Sequence, residues 1–160
     1  MSLVTKRLQS GVVAAAVVVG LLTTLLPNSA SAFPFIGFNI RGGHYTDTND
    51  FFLGAGVDVN ALVLTASPNL EWVFVDKGTL YTLNLDASYR IPFAVAQLWA
   101  GGGYAMRYFE PDGGNGKTRG GLNLFVGGGI GMVPLRPFVQ LKYLYVSDAD
   151  EFVWMVGARF

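Results

Sequence analysis

The sequence has 160 residues, no cysteine, and 51% hydrophobic against 14% charged side chains, a length that suits a single domain. Lack of cysteine excludes disulfides and thiolate metal sites, and eleven basic against eleven acidic side chains exclude the strongly basic profile of a nucleic-acid binder. Glycine at 21 residues with aromatics at 14% suits curved strands with aromatic girdles better than helices, in whose interior a glycine costs about 1 kcal/mol relative to alanine.

Residues 1–32 differ in kind from the rest. Lys6 and Arg7 form a positive start, residues 11–26 an apolar run, and Ala30-Ser31-Ala32 a small-x-small cleavage site. This is the pattern of an exported chain whose leader is removed, with the mature protein starting at Phe33. As a membrane helix the run falls short of the ~20 apolar residues needed and is interrupted by Thr23, Thr24 and Pro27. Without the leader the chain keeps nine basic and eleven acidic side chains, a net charge of −2.

From Phe33 onward, eight segments alternate with a period of two and none shows the helical period. Residues 35–43 point Ile36, Phe38 and Ile40 one way and Gly37, Asn39 and Arg41 the other. Residues 51–60 set Phe51, Leu53, Ala55, Val57 and Val59 against Phe52, Gly54, Gly56, Asp58 and Asn60, before a tight turn at Ala61-Leu62. Residues 64–75 oppose Leu64, Ala66, Leu70, Trp72 and Phe74 to Thr65, Ser67, Asn69 and Glu71, with Pro68 expected to bulge or kink the ladder. The fourth segment is the clearest: Tyr81, Leu83, Leu85, Ala87 and Tyr89 face away from Thr82, Asn84, Asp86, Ser88 and Arg90, and Ile91-Pro92-Phe93 reads as a turn.

Residues 95–109 turn Leu98, Ala100, Tyr104, Met106 and Tyr108 from Trp99, Gly101, Gly103 and Arg107. The glycine-rich stretch 110–120 reads as the longest connection. Residues 121–133 set Leu122, Leu124, Val126 and Ile130 against Asn123, Phe125 and Gly127. In the seventh segment Val139, Leu141, Tyr143 and Tyr145 oppose Phe138, Gln140, Lys142 and Leu144. The last, from Glu151, carries Phe152, Trp154, Val156, Ala158 and Phe160 on one face and Val153, Met155, Gly157 and Arg159 on the other. In this last segment the bulky face is continuous and the other smaller and partly polar, the pattern of a strand with lipid outside and a cramped lumen inside.

Residues 33–160 allow sixteen for each of eight strands with its connection, and about 9–11 residues of tilted strand cross a bilayer. The expected fold is all-β, an eight-stranded antiparallel up-and-down transmembrane β-barrel over 33–160, preceded by a cleaved signal peptide over 1–32. With both ends periplasmic, odd-numbered connections face outward and the even ones are short. Aromatics then form an outer belt (Phe51, Trp72, Phe74, Tyr81, Tyr108, Tyr145, Phe152) and an inner one (Tyr89, Phe160).

The mature chain resembles the outer-membrane β-barrel domain family of small OmpA- and OmpX-type proteins. The eight segments carry the resemblance, together with residues 81–89 (YTLNLDASY), residues 135–143 (LRPFVQLKY) and the terminal strand ending on Phe160. It implies a place in the outer membrane of a Gram-negative envelope, contact with outer-membrane lipid and lipopolysaccharide, and recognition by the barrel-assembly machinery through the C-terminal strand. It implies a monomer that binds no nucleic acid and carries no cofactor.

Candidate site residues are the inward charges Arg41, Asp58, Glu71, Asp86, Arg90, Arg107, Lys142 and Arg159, because a barrel this narrow is filled by side chains and such charges must pair or be hydrated. Strand direction puts Asp58, Asp86, Arg90 and Arg159 in the periplasmic half. It puts Arg41, Glu71, Arg107 and Lys142 in the outer half, where Glu71 stands as the only acid. A lipid-modifying enzyme would need a serine within reach of a base, and His44, the one histidine, has none at a matched spacing. The outward connections, including Glu151, read as a rim of solvated acids. The function expected is a non-enzymatic barrel serving envelope structure or surface contact. The alternatives are a soluble periplasmic lipocalin-like barrel with an apolar ligand, and a narrow gated pore.

Overall fold

The computed structural model describes residues 35–160 apart from 94, 114, 132–134, 147 and 148, so the expected leader over 1–32 lies outside the described residues. Eight strands close into one antiparallel barrel in sequence order: β1 Phe35–Tyr45, β2 Asp50–Ala61, β3 Leu64–Phe74, β4 Thr79–Phe93, β5 Ala96–Glu110, β6 Lys117–Ile130, β7 Arg136–Val146 and β8 Ala149–Arg159. The alternation dictates this closure. Strands apolar on one face throughout expose that face to a solvent that cannot hydrogen-bond, so no edge can be left unpaired.

The register fixes the size of the barrel. Stepping across paired residues from Phe35 leads through Asn60, Thr65, Ser88, Gly101, Phe125, Lys142 and Val153 back to β1 at Tyr45, ten residues above the start. A stagger of this kind requires strands tilted by roughly 35–45° and leaves an interior that side chains fill. We call the end carrying Phe35 and the turn at 62–63 the lower end, and the end carrying Tyr45 and the connection 46–49 the upper.

Every segment faces the way its parity indicates. Ile36, Phe38, Leu53, Leu70, Leu83, Leu124, Leu141 and Val156 are exposed on the outer wall, while Asn39, Asp58, Asn69, Glu71, Thr82, Asn84, Asp86, Asn123, Gln140 and Lys142 are buried inside. A lipocalin-like barrel needs the reverse, an apolar cup inside and polar residues outside, so this wall excludes it. Outer aromatics cluster near the upper end, where Trp72 stacks on Phe74 at 5.6 Å and lies 6.1 Å from Tyr81. The lower end exposes Phe35, Tyr89, Phe93 and Phe160.

Several details of the strands differ from the sequence reading. Residues 91–93 extend β4 as paired strand, Phe93 lying opposite Ala96, because Pro92 needs no ladder hydrogen bond at a strand end. Residues 117–120 belong to β6, opposite residues 106–109 of β5, since pairing with a long neighbour overrides the glycine-rich composition. At Pro68 the pairing of β2 with β3 lapses between Gly56↔Asn69 and Val59↔Ala66, yet the register resumes unchanged. The missing N–H breaks the ladder without inserting a residue.

Inward glycines make room for the large rings of the lower lumen. A Cβ on Gly127 would stand 2.5 Å from the Trp99 indole, and one on Gly101 would stand 2.8 Å from the Phe125 ring.

Candidate functional site: the charged lumen

Alternation of short polar and charged side chains along eight inward faces builds a lumen in layers. At its lower end Asp58 Oδ2 accepts from Arg90 Nη2 at 3.2 Å and lies 3.0 Å from Arg159 Nε as an ion pair. Its other oxygen accepts from Asn39 Nδ2 at 3.0 Å and from the Ser67 hydroxyl. The Arg159 guanidinium also lies 4.1 Å from the Trp99 ring and 4.5 Å from that of Phe138, a stacking that suits a planar, weakly hydrated cation.

Above it lies a layer of amides. Asp86 sits midway along β4 and has no ion pair, accepting instead from Asn69 Nδ2 and Asn123 Nδ2, both at 2.9 Å. Asn84 donates to Asn69 at 2.9 Å. Arg41 sends Nη2 and Nε to Asn39 Oδ1 at 2.7 and 3.1 Å, so an amide links this guanidinium to Asp58.

Among the described residues the upper half holds two ion pairs. Lys142 Nζ lies 2.7 Å from Glu71 Oε1, with both side chains fully buried, and the Tyr45 hydroxyl donates to Glu71 Oε2 at 2.6 Å. Higher still, Arg107 Nη1 meets Glu151 Oε2 at 2.8 Å. Around these pairs packs an apolar cluster of Tyr45, Phe52, Val73, Leu80, Ala105, Leu144, Val146, Val153 and Met155. Its presence strengthens both pairs by excluding water and makes loss of either partner costly.

All eight candidate charges therefore line the lumen, but in four groups. Arg90, Arg159 and Asp58 meet at the bottom, Glu71 meets Lys142, and Arg107 pairs with a residue outside the candidate set. Arg41 and Asp86 are held by asparagines.

Two assignments need correction. Glu151 is a lumen residue, 3% exposed as a side chain, and not a rim acid, because β8 begins earlier than its acidic start suggested; Glu71 is accordingly not the only acid of the upper half. Asp86 is central, not in the lower half. The alternation does not reveal the apolar cluster although Phe52, Leu144, Val153 and Met155 all carry inward parity; one or two inward apolar residues per strand say little until the register stacks them.

His44 stays on the outer wall. Its ring lies 4.8 Å from that of Phe51 and 6.1 Å from that of Trp154, and Nε2 is 3.1 Å from Asn49 Oδ1. Ser67 and Ser88 are buried inside, so wall and lumen separate the histidine from both. Among the described residues no group of three or more metal-ligating side chains converges.

Solved structures with this architecture decide what kind of barrel it is. The N-terminal β-barrel domain of Pseudomonas aeruginosa OprF superposes with a TM-score of 0.64 at 14% identity, over 78% of this chain and 96% of that one. Neisserial surface protein A gives 0.64 at 14%, over 78% and 94%. The fold is that of the small eight-stranded outer-membrane barrels. Ail, the attachment invasion locus protein of Yersinia pestis, matches at 0.51 and 16%, over 78% and 96%. No family model matches the sequence. No curated protein matches it either. Identities this low carry an architecture, and one scaffold hosts many functions.

Proposed function

We propose that this chain is an outer-membrane protein of a Gram-negative envelope, exported by a leader over 1–32 that is removed before Phe33. In this reading it is a non-enzymatic barrel that contributes to envelope structure. One observation carries the reading: an outer wall of exposed apolar side chains surrounds a lumen plugged by hydrogen-bonded charges and an apolar cluster. Lipid is the solvent such a wall suits, and a plugged lumen leaves nothing for a solute to pass through. Among the described residues Ser67 and Ser88 lie inside the barrel and His44 on its outer wall, which favours a role without catalysis.

Surface contact is the finer alternative. It draws support from neighbours whose names call one a surface protein and another an attachment protein. The upper connections weigh against it, since 46–49 and 75–78 have four residues and 111–116 six. Such short loops offer a partner little area beyond the rim. Outer-membrane lipid and lipopolysaccharide are the partners we assign. The assembly machinery would read the terminal strand with Phe160, and the barrel works as a monomer.

Separating inner from outer membranes of expressing cells, then taking the mass of the purified protein, tests this. We expect the outer-membrane fraction, a requirement for detergent, and a mass that starts at Phe33. An intact Met1 terminus, or recovery in the soluble periplasm, would overturn the proposal.

A further inference from the structure

The lower mouth carries more positive charge than its acid can balance. Arg90, Arg136 and Arg159 converge there, and the one side-chain carboxylate paired with them among the described residues, Asp58, already takes two of the three guanidiniums on a single oxygen. Asp58's second oxygen is filled by Asn39 and Ser67.

Arg136 joins none of the ion pairs among the described residues. Its guanidinium lies 5.8 Å from the Phe35 ring, and the register sets it directly opposite Arg159. Like charges opposite one another across a strand pair are destabilising unless something lies between them. Arg90 and Arg159 each bury an Nε that has no hydrogen-bond partner among the described residues.

These groups edge a cavity of about 210 Å³ whose wall includes Arg90, Arg136, Asn60, Gln97, Phe35 and Leu62. It is half polar and half apolar. Two guanidiniums and the Gln97 amide supply donors, and Leu62, at φ 55° on the turn and 93% exposed, forms an apolar lip with Phe35. The exposed rings of Phe35, Phe93 and Phe160 mark this depth as the polar–apolar boundary of the bilayer. Lipid phosphates lie at that level.

We propose that the lower mouth is a phosphate-binding site, in which Arg90 and Arg136 hold the anion and Gln97 donates to a third oxygen. Guanidinium forks match phosphate oxygens two at a time, and a planar, permanently charged donor keeps this fit at a half-buried site. The phosphate is either a phospholipid headgroup, with its glycerol against the apolar lip, or a free anion. This assignment stands on the mouth alone and does not depend on which membrane carries the barrel.

The test uses the protein purified from membranes in dodecylmaltoside, with two probes: inorganic phosphate, followed by phosphorus NMR, and phosphatidylglycerol in mixed micelles, followed by native mass spectrometry. Variants are Arg136→Gln, Arg136→Lys and, at the opposite end, Arg119→Gln, each first checked for folded migration on unboiled gels. We expect Arg136→Gln to weaken binding by about fivefold or more, with Arg136→Lys intermediate and Arg119→Gln unchanged. Binding of both probes marks a general phosphate site, and binding of the lipid alone a headgroup site. A smaller loss in Arg136→Gln, an equal loss in Arg119→Gln, or failure of both probes to bind overturns the proposal. If Arg136→Gln does not fold, Gln97→Leu takes its place under the same criterion.

Discussion

Glu71 and Lys142 form the most enclosed ion pair of the molecule, at 2.7 Å with neither side chain exposed. Glu71→Gln leaves the ammonium buried without a counter-charge, a change that costs about 3–5 kcal/mol. Neutralising both, as Glu71→Gln with Lys142→Gln, removes the orphan charge and restores part of that loss. Arg107 has its own acid, Glu151, and reaches Glu71 only through Tyr45, whose ring it faces at 5.0 Å, so Arg107→Gln combined with Glu71→Gln couples more weakly than the Lys142 pair does. Urea unfolding of the single and double variants in lipid vesicles checks both statements. Equal coupling of Glu71 to Lys142 and to Arg107 would contradict the pairing. Which base faces Glu71 was not legible in the sequence: Lys142 is 71 positions away, and parity gives a face but no height. Height comes from the stagger, which is a property of the closed sheet. Tyr45 escaped notice for a simpler reason, since the first segment was ended at Gly43, two residues short of it.

At the level of strands the sequence was a reliable guide to facing and a poorer one to ends. Lipid outside and a packed lumen inside force a strict period of two, so that a slip by one residue would turn every apolar side chain inward. Strand ends are set by the neighbour's reach, which is why Pro92 and residues 117–120 carry loop-like composition and yet pair as strand. The facing leads to a prediction that depends on depth. Leu85 lies near the middle of β4, 49% exposed on the outer wall and opposite Pro68 and Tyr104. Leu85→Arg puts a cation at mid-bilayer for about 2–4 kcal/mol, whereas Leu62→Arg, on the lower turn at 93% exposure, costs about 0–1 kcal/mol. Folding yields into vesicles across a urea series compare the two. Equal yields would mean that the outer wall does not meet lipid. Asn84, on the same strand, is no neutral control: at 1% exposure and bonded to Asn69 and Asn123, it has no room for arginine, although parity alone suggests a tolerant interior.

For the barrel as a whole, the consequence of layering is resistance in series. An ion crossing the lumen meets Asp58 with Arg90 and Arg159 beside Trp99 and Phe138, then the asparagine layer around Asp86. Beyond these it meets the Glu71–Lys142 pair inside the apolar cluster. Each layer is filled by buried side chains, and a path opens only when all of them open together. The protein in planar bilayers at low voltage is therefore expected to show no steady porin-like conductance. The same argument extends to variants. Glu71→Gln loosens the upper layer and leaves the lower two intact, and Trp99→Ala empties space below while the apolar cluster remains above. Both should be less stable than the parent and still electrically silent. Recording all three proteins under one set of conditions separates the alternatives. Steady channels in the parent would mean that the lumen is not filled, and channels in Glu71→Gln alone would mean that this single pair, and not a series of layers, closes the barrel.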